Sequence, residues 1–218
     1  VTILQRGKFI TFEGIDGAGK STHLAWLASF LRDKGLEVIV TREPGSTALG
    51  EQLRQLLLDH RQAMHAETET LLMFAARREH LDKVILPALE RGAWVISDRF
   101  TDASFAYQGG GRGVPSARLE ILEQWVQKGF SPDLTVYFDV PVTISRQRVQ
   151  SARTADRFEL EPDLFFERVR QAYLQRAKQF SERIRVVDGS LSLEEVRTAM
   201  VEVVEKFWSA QASSGYRM

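Results

Sequence analysis

The chain has 218 residues, with 29 Lys plus Arg against 29 Asp plus Glu, 44% hydrophobic and 27% charged. That mix suits one compact globular domain and excludes a bulk positive field that would gather nucleic acid nonspecifically. The absence of cysteine excludes disulfides, thiolate nucleophiles and cysteine zinc sites, and neither a span-length apolar run nor a charged-then-apolar leader pattern is present, so the expectation is a soluble, cytoplasmic protein.

In chain order, the short β-rich apolar runs are Phe9–Phe12, Glu37–Thr41, Trp94–Ser97, Leu134–Val140 and Ile184–Val187, each a candidate strand followed by a turn or a polar residue. Between them, helical periodicity marks Lys20–Asp33, Leu49–Leu58, Glu67–Glu90, Ser116–Gln127, Asp163–Gln179 and Leu193–Trp208. Alternating strand and helix predict an α/β fold of three layers. A central five-stranded parallel sheet is flanked by helices, and ligands bind outside the carboxyl ends of the strands. Residues 1–208 read as a single domain, and the polar stretch 209–218 as a flexible tail.

Directly after the first strand, Gly14-Ile15-Asp16-Gly17-Ala18-Gly19-Lys20-Ser21 fits G-x-x-x-x-G-K-[ST] and opens a helix, the context a phosphate-binding loop requires. The glycines let backbone N–H groups curl around phosphates, the helix N-terminus adds positive potential, Lys20 reaches the β/γ-phosphates and Ser21 can ligate Mg²⁺. The motif predicts a P-loop NTPase fold using ATP and Mg²⁺. Alone it does not separate kinases from ATPases or nucleotide switches. At the end of the third strand stand Asp98, suited to a Mg²⁺ shell, and Arg99, whose planar fork grips a phosphate.

Four blocks then carry a family resemblance: Phe12-Glu13-Gly14-Ile15-Asp16-Gly17-Ala18-Gly19-Lys20-Ser21-Thr22; Thr41-Arg42-Glu43-Pro44-Gly45; Asp98-Arg99 with Ala106-Tyr107-Gln108-Gly109; and Asp156-Arg157-Phe158-Glu159. Together they resemble the thymidylate kinases of bacterial type, from Phe9 to about Gly189. The resemblance implies transfer of the γ-phosphoryl group of ATP to dTMP with Mg²⁺, supplying dTTP, by a homodimer with no nucleic-acid or membrane partner. It places the nucleotide over Gly14–Thr22, with Asp188 in a turn bordering the adenine. Asp16 faces the acceptor sugar, Arg99 holds the acceptor phosphate, and Arg42, Glu43 and Pro44 lie near that phosphate and the metal. Arg54, Ser104 and Gln108 meet the base edge, and Tyr107 crowds the 2′ position. In Leu71-Leu72-Met73-Phe74-Ala75-Ala76-Arg77 it offers an aromatic ring and Arg77 to the base. Many relatives carry phenylalanine where Met73 stands here, and Phe74 is the ring assigned, since both spacings share a face with Arg77.

Arg146, Arg148, Arg153 and Arg157 fall in a stretch with few apolar residues, at about 146–160, and are expected to form a mobile lid. Gly17 puts no arginine in the P-loop itself, and the resemblance implies that the lid supplies the charge that stabilises the transferring group. Lys20, Asp16, Arg99, Arg148, Arg153 and Arg157 are therefore the expected catalytic set, with Ser21 and Asp98 for the metal. His23, His60, His65 and His80 read as helix surface. Another nucleoside monophosphate kinase, or an ATP-driven switch without an acceptor pocket, are the competing readings.

Overall fold

A computed structural model describes residues 6–61, 63–150 and 156–214. Five strands, β1 (Phe9–Glu13), β2 (Val38–Arg42), β3 (Trp94–Asp98), β4 (Leu134–Asp139) and β5 (Ile184–Asp188), pair all-parallel in the order β2-β3-β1-β4-β5. The central β1 is buried along its whole length, as its apolar run requires when helices cover both faces. Alternation sends Ile10 and Phe12 into one hydrophobic cluster and Phe9 into another, the period of two that divides a strand between two layers. On the edges, β2 and β5 are only partly buried.

Each strand ends on a charged residue: Glu13, Arg42, Asp98, Asp139 and Asp188. The parallel register sets them along one rim, with Asp98 beside Phe12 and Arg42, and Asp139 beside Asp188. Apolar residues thus fill the sheet, and ionisable groups gather at its carboxyl edge, where ligands bind in open α/β sheets.

The expected helices form as α1 (Lys20–Asp33), α2 (Ala48–Leu58), α3 (Ala66–His80), α6 (Ser116–Gln127), α8 (Asp163–Gln179) and α9 (Leu193–Ser214). The expected helix Glu67–Glu90 is interrupted by a π-helical turn, Leu81–Ile85, before α4 (Leu86–Glu90). Pro87 accounts for the break: it has no N–H for the carbonyl four residues back, and its ring crowds that carbonyl. Helix α9 continues to Ser214, so the first part of the expected tail is helical.

Two further helical segments go beyond the sequence reading. A short α5 (Thr101–Ser104) runs into a π-helical segment, Phe105–Gly111, which the three glycines hid because glycine lowers helix propensity. Those glycines seat the segment on α8: a Cβ on Gly110 would lie 2.7 Å from Ala172 Cβ, and one on Gly111 2.4 Å from the Phe165 ring. Helix α7 (Val142–Gln150) occupies the first part of the expected lid. It braces the P-loop, Ser145 Oγ donating to the Asp16 carbonyl at 2.5 Å. Gly17 permits the approach, since its Cβ would come within 2.5 Å of the Ser145 carbonyl oxygen. Among the described residues, no helix is long and apolar enough to cross a membrane.

Candidate active site

The P-loop leaves β1 through Gly14, Gly17 and Gly19, all at positive φ, and delivers Lys20 as the first residue of α1. Lys20 Nζ donates to the carbonyls of Gly14 and Ile15 at 2.9 and 3.0 Å. Burial, and then the neighbouring Arg99, lower its pKa from the usual lysine value. A cavity above the loop is lined by Asp16, Gly17, Gly19, Lys20, Ser21, Thr22, Arg42, Asp98 and Arg148, among others. The Asp98 Oδ1 atom is buried there without a hydrogen-bond partner among the described residues. An orphaned carboxylate oxygen beside a cavity that Ser21 also lines suits a divalent cation or its water shell. No cluster of three or more His, Cys, Asp or Glu able to hold a metal by itself occurs among the described residues; a hydroxyl plus one carboxylate fits Mg²⁺, which keeps waters and takes phosphate oxygens.

A second cavity adjoins the first, about 590 Å³ of open space lined by Asp16, Glu43, Pro44, Arg54, Leu58, Met73, Arg77, Arg99, Phe100, Ala103, Ser104, Tyr107, Gln108, Asp156 and Phe158. Asp16, Glu43, Arg54 and Arg99 line both cavities. Arg99 sits at the junction, its Nη2 donating to Asp16 Oδ1 and Tyr107 Oη at 3.0 Å each and to the Gly14 carbonyl at 3.2 Å. Its Nε is buried without a partner among the described residues. Burial raises the pKa of the Tyr107 hydroxyl well above its usual value, so it stays a neutral donor, reaching Asp16 Oδ2 at 3.3 Å.

Arg77 is 2% exposed. Its Nε donates to Glu43 Oε2 at 2.8 Å, and its Nη2 donates to Ser104 Oγ and the Phe100 carbonyl at 3.0 Å each. Its Nη1 has no partner among the described residues. A buried guanidinium with one nitrogen unsatisfied beside a cavity marks where a ligand acceptor belongs. Gln108 Nε2 is held by Glu69 at 2.9 Å and Arg54 Nη1 by the Pro44 carbonyl at 3.0 Å.

Comparison with known proteins meets this geometry. The family profile described as Thymidylate kinase matches residues 12–200. The chain belongs to the thymidylate kinase family. The thymidylate kinase of Nitrosomonas europaea is 77% identical over 214 residues, covering 98% of this chain and 100% of that protein. That of Nitrosospira multiformis is 66% identical, covering 94% and 100%. A crystal structure of thymidylate kinase from Ehrlichia chaffeensis superposes with a TM-score of 0.73 at 35% identity, covering 91% of this chain and 99% of that one. This chain is accordingly a kinase with the P-loop NTPase fold.

Within this thymidylate kinase fold, several sequence expectations change. Phe74 does not line the second cavity; Met73 does. Phe74 is 1% exposed, in the cluster with Phe9, Leu81 and Ile85, and the Arg77 guanidinium lies over its ring at 4.7 Å. The ring therefore supports the arginine from behind. Arg157 lines neither cavity: its Nε donates to the Leu57 carbonyl and its Nη1 pairs with buried Glu69, each at 2.8 Å. It anchors this part of the expected lid to α2 and α3. Arg146 likewise reaches Asp163 and the carbonyls of Glu159 and Glu161. Arg148 alone of the described lid arginines reaches the P-loop cavity, its Nη1 donating to the carbonyls of Gly189 at 2.8 Å and Gly17 at 3.3 Å. Arg153 lies outside the described residues. Asp188 lines neither cavity and accepts from the backbone and hydroxyl of Ser190.

The histidines also divide. His60 and His65 are exposed, but His23 stacks on Phe138 and His80 is 0% exposed. Glu43 commits one oxygen to Arg77 and the other to His80, so it braces Arg77 rather than offering an open carboxylate to a metal. Leu58, Phe100, Ala103, Asp156 and Phe158 complete the cavity without having been assigned there from sequence. The Asp98-Arg99 and Asp156–Glu159 blocks adjoin three of them, which was the one available signal.

Proposed function

We propose that the two adjoining cavities are the donor and acceptor sites of one phosphoryl transfer, from ATP over Gly14–Thr22 to the 5′-phosphate of dTMP in the Arg77 cavity, giving dTDP. The observation that carries this reading is the sharing of Asp16 and Arg99 by both cavities. A nucleotide switch needs no second pocket opening onto its γ-phosphate site, whereas a transferase must bring two substrates within reach. The Arg99 guanidinium grips the acceptor phosphate, Asp16 takes the sugar hydroxyl, and Tyr107, fixed by Arg99 and Asp16, crowds a 2′-hydroxyl. Arg77 Nη1 donates to a carbonyl on the pyrimidine edge, with Met73 and Phe158 as apolar walls. Ser104 and Gln108 complete the polar side.

Lys20 and Arg148 face the transferring group and spread its charge, and the acceptor oxygen, already anionic, needs no strong base. Ser21 and Asp98 would hold Mg²⁺, which when bound neutralises phosphate charge. Arg153 remains a proposed lid arginine on the resemblance alone. In the cell we place the enzyme in the cytoplasm, as a homodimer.

A panel of monophosphates assayed by ADP release tests the acceptor. dTMP should be best and dUMP poorer by about 1–3 kcal/mol in kcat/KM, the worth of one methyl in an apolar pocket. UMP, CMP, AMP and GMP should be poor. Faster turnover of AMP or GMP than of dTMP would defeat the acceptor assignment, and ATP hydrolysis indifferent to every acceptor would favour a switch.

A further inference from the structure

The unpartnered Nη1 of Arg77 recognises a ligand only if the plane of the guanidinium is fixed, and a chain of four buried groups fixes it. Arg77 Nε is bound by Glu43 Oε2 at 2.8 Å, Glu43 Oε1 meets His80 Nδ1 at 2.8 Å, and His80 Nε2 meets Thr41 Oγ1 at 2.5 Å. Relative exposures along the chain are 2% for Arg77, 6% for Glu43, 0% for His80 and 6% for Thr41. A carboxylate only accepts, so the proton of this contact is on Nδ1, and Nε2 is left to accept from the threonine hydroxyl. Thr41 is anchored in β2, whose pairing with β3 sets its backbone. His80 itself closes α3 where the helix widens into the π-turn Leu81–Ile85, which brings its ring over the sheet.

Resting on the acceptor reading above, we propose that His80 is a positioning residue for base recognition. Through Glu43 it holds the Arg77 guanidinium, already sandwiched over the Phe74 and Phe100 rings at 4.7 and 5.1 Å, so that Nη1 meets a pyrimidine carbonyl. Without His80, one oxygen of the buried Glu43 loses its partner. The carboxylate then turns, and Arg77 turns with it. Discrimination against a pyrimidine carrying an amino group where thymine has a carbonyl depends on this orientation, because two donors would then face each other. Although Glu43 also borders the P-loop cavity, Lys20 and Arg99 are held by Gly14, Ile15, Asp16 and Tyr107, outside this chain, so the effect falls chiefly on acceptor binding.

The test is steady-state kinetics with dTMP and dCMP for the wild-type enzyme, His80→Leu, His80→Asn and Thr41→Val, each with a thermal melt. His80→Leu should raise KM for dTMP about tenfold and narrow the dTMP/dCMP ratio of kcat/KM by a similar factor, with kcat at saturation changed less than about threefold. His80→Asn, which retains an N–H near the Nδ1 position, should recover most of both. A folded His80→Leu enzyme with unchanged KM and ratio, or with its loss confined to kcat, overturns the proposal. Should His80→Leu fail to fold, Thr41→Val decides: it removes only the outer hydroxyl, a weakening of a few-fold in the same two quantities supports the relay, and none overturns it. A wild-type enzyme preferring a monophosphate other than dTMP is a failure of the acceptor reading, visible before any variant is compared.

Discussion

Arg99 has φ 71°, a left-handed conformation that costs a residue with a long side chain roughly 1–3 kcal/mol and persists only where surrounding bonds impose it. Here the Arg99 N–H donates to the Phe12 carbonyl at 2.9 Å, its carbonyl accepts from Ser97 Oγ at 2.7 Å, and the next N–H, Phe100, donates to Glu13 Oε1 at 2.8 Å. Tyr173 on α8 donates to the other oxygen of Glu13 at 2.8 Å. Thus a buried carboxyl that the sequence reading held only as a member of the first family block sets the turn that aims Arg99. Burial, reinforced by Asp102, pushes its pKa from 4.5 up to about 8. Below the unfolded value the carboxyl is protonated in both states. As pH rises from about 4.5 toward 8 the unfolded chain releases a proton that the folded one keeps, so stability falls. Relative to Glu13→Gln, the wild type should lose stability across that window, at about 1.4 kcal/mol per pH unit at most. Denaturant unfolding of both proteins at several pH values checks this, and a pH-independent difference would show that Glu13 does not titrate there.

At the scale of elements, the π-helical segment Phe105–Gly111 carries Tyr107 and Gln108 into the proposed acceptor cavity, and its seat is α8. Close approach demands glycine at its end: Gly111 faces the ring of Phe165, which is 1% exposed and has nowhere to retreat. Arg168 on α8 closes the contact by donating to the Gly111 carbonyl at 2.9 Å. Gly111→Ala should destabilise the fold by about 1–3 kcal/mol through overpacking and raise KM for the acceptor, because Tyr107 shifts with the segment. A melting temperature and KM both equal to wild type would mean that the interface has slack. The same element shows why helix α7 escaped the sequence reading. Its hold on the P-loop is a serine hydroxyl and a glycine contact, not an apolar stripe.

For the whole molecule, α3 and α6 present Leu71 and Ile121, exposed by 55% and 67%, on a groove that includes Val114 and Leu122, and Trp125, 73% exposed, lies one helical turn after Ile121 on α6. An apolar surface of this kind is covered in an assembly far more often than it is left to water, and a second copy of this chain is the proposed occupant. Trp125→Glu should therefore convert a dimer to a monomer in sedimentation, with the P-loop site, on another part of the surface, still folded. Sedimentation of the wild type as a monomer at micromolar concentration would remove the proposal. Met73 and Arg77, the proposed contacts to the base, lie on the same helix as Leu71, so dimer formation would also steady the proposed acceptor site.

The parts legible in the sequence were those governed by local rules. The P-loop lies within one strand–turn–helix unit, and the bounds of α1, α6 and α8 follow from their own periodicity. Four ordered blocks carried the family, and Arg99, Tyr107 and Gln108 from those blocks line one cavity together with Arg54 and Ser104. What remained was a choice of partners between distant segments. Met73 and Phe74 are neighbours on one helix, and only the packing of α3 against the sheet decided which meets the cavity and which meets the core. Arg157 took its place from the Leu57 carbonyl, 100 residues away, and His80 from Thr41 and Glu43, 39 and 37 residues away. Helical period states which side chains share a face, but the worth of a buried charge depends on the groups that face it, and those are brought together only when the chain has folded.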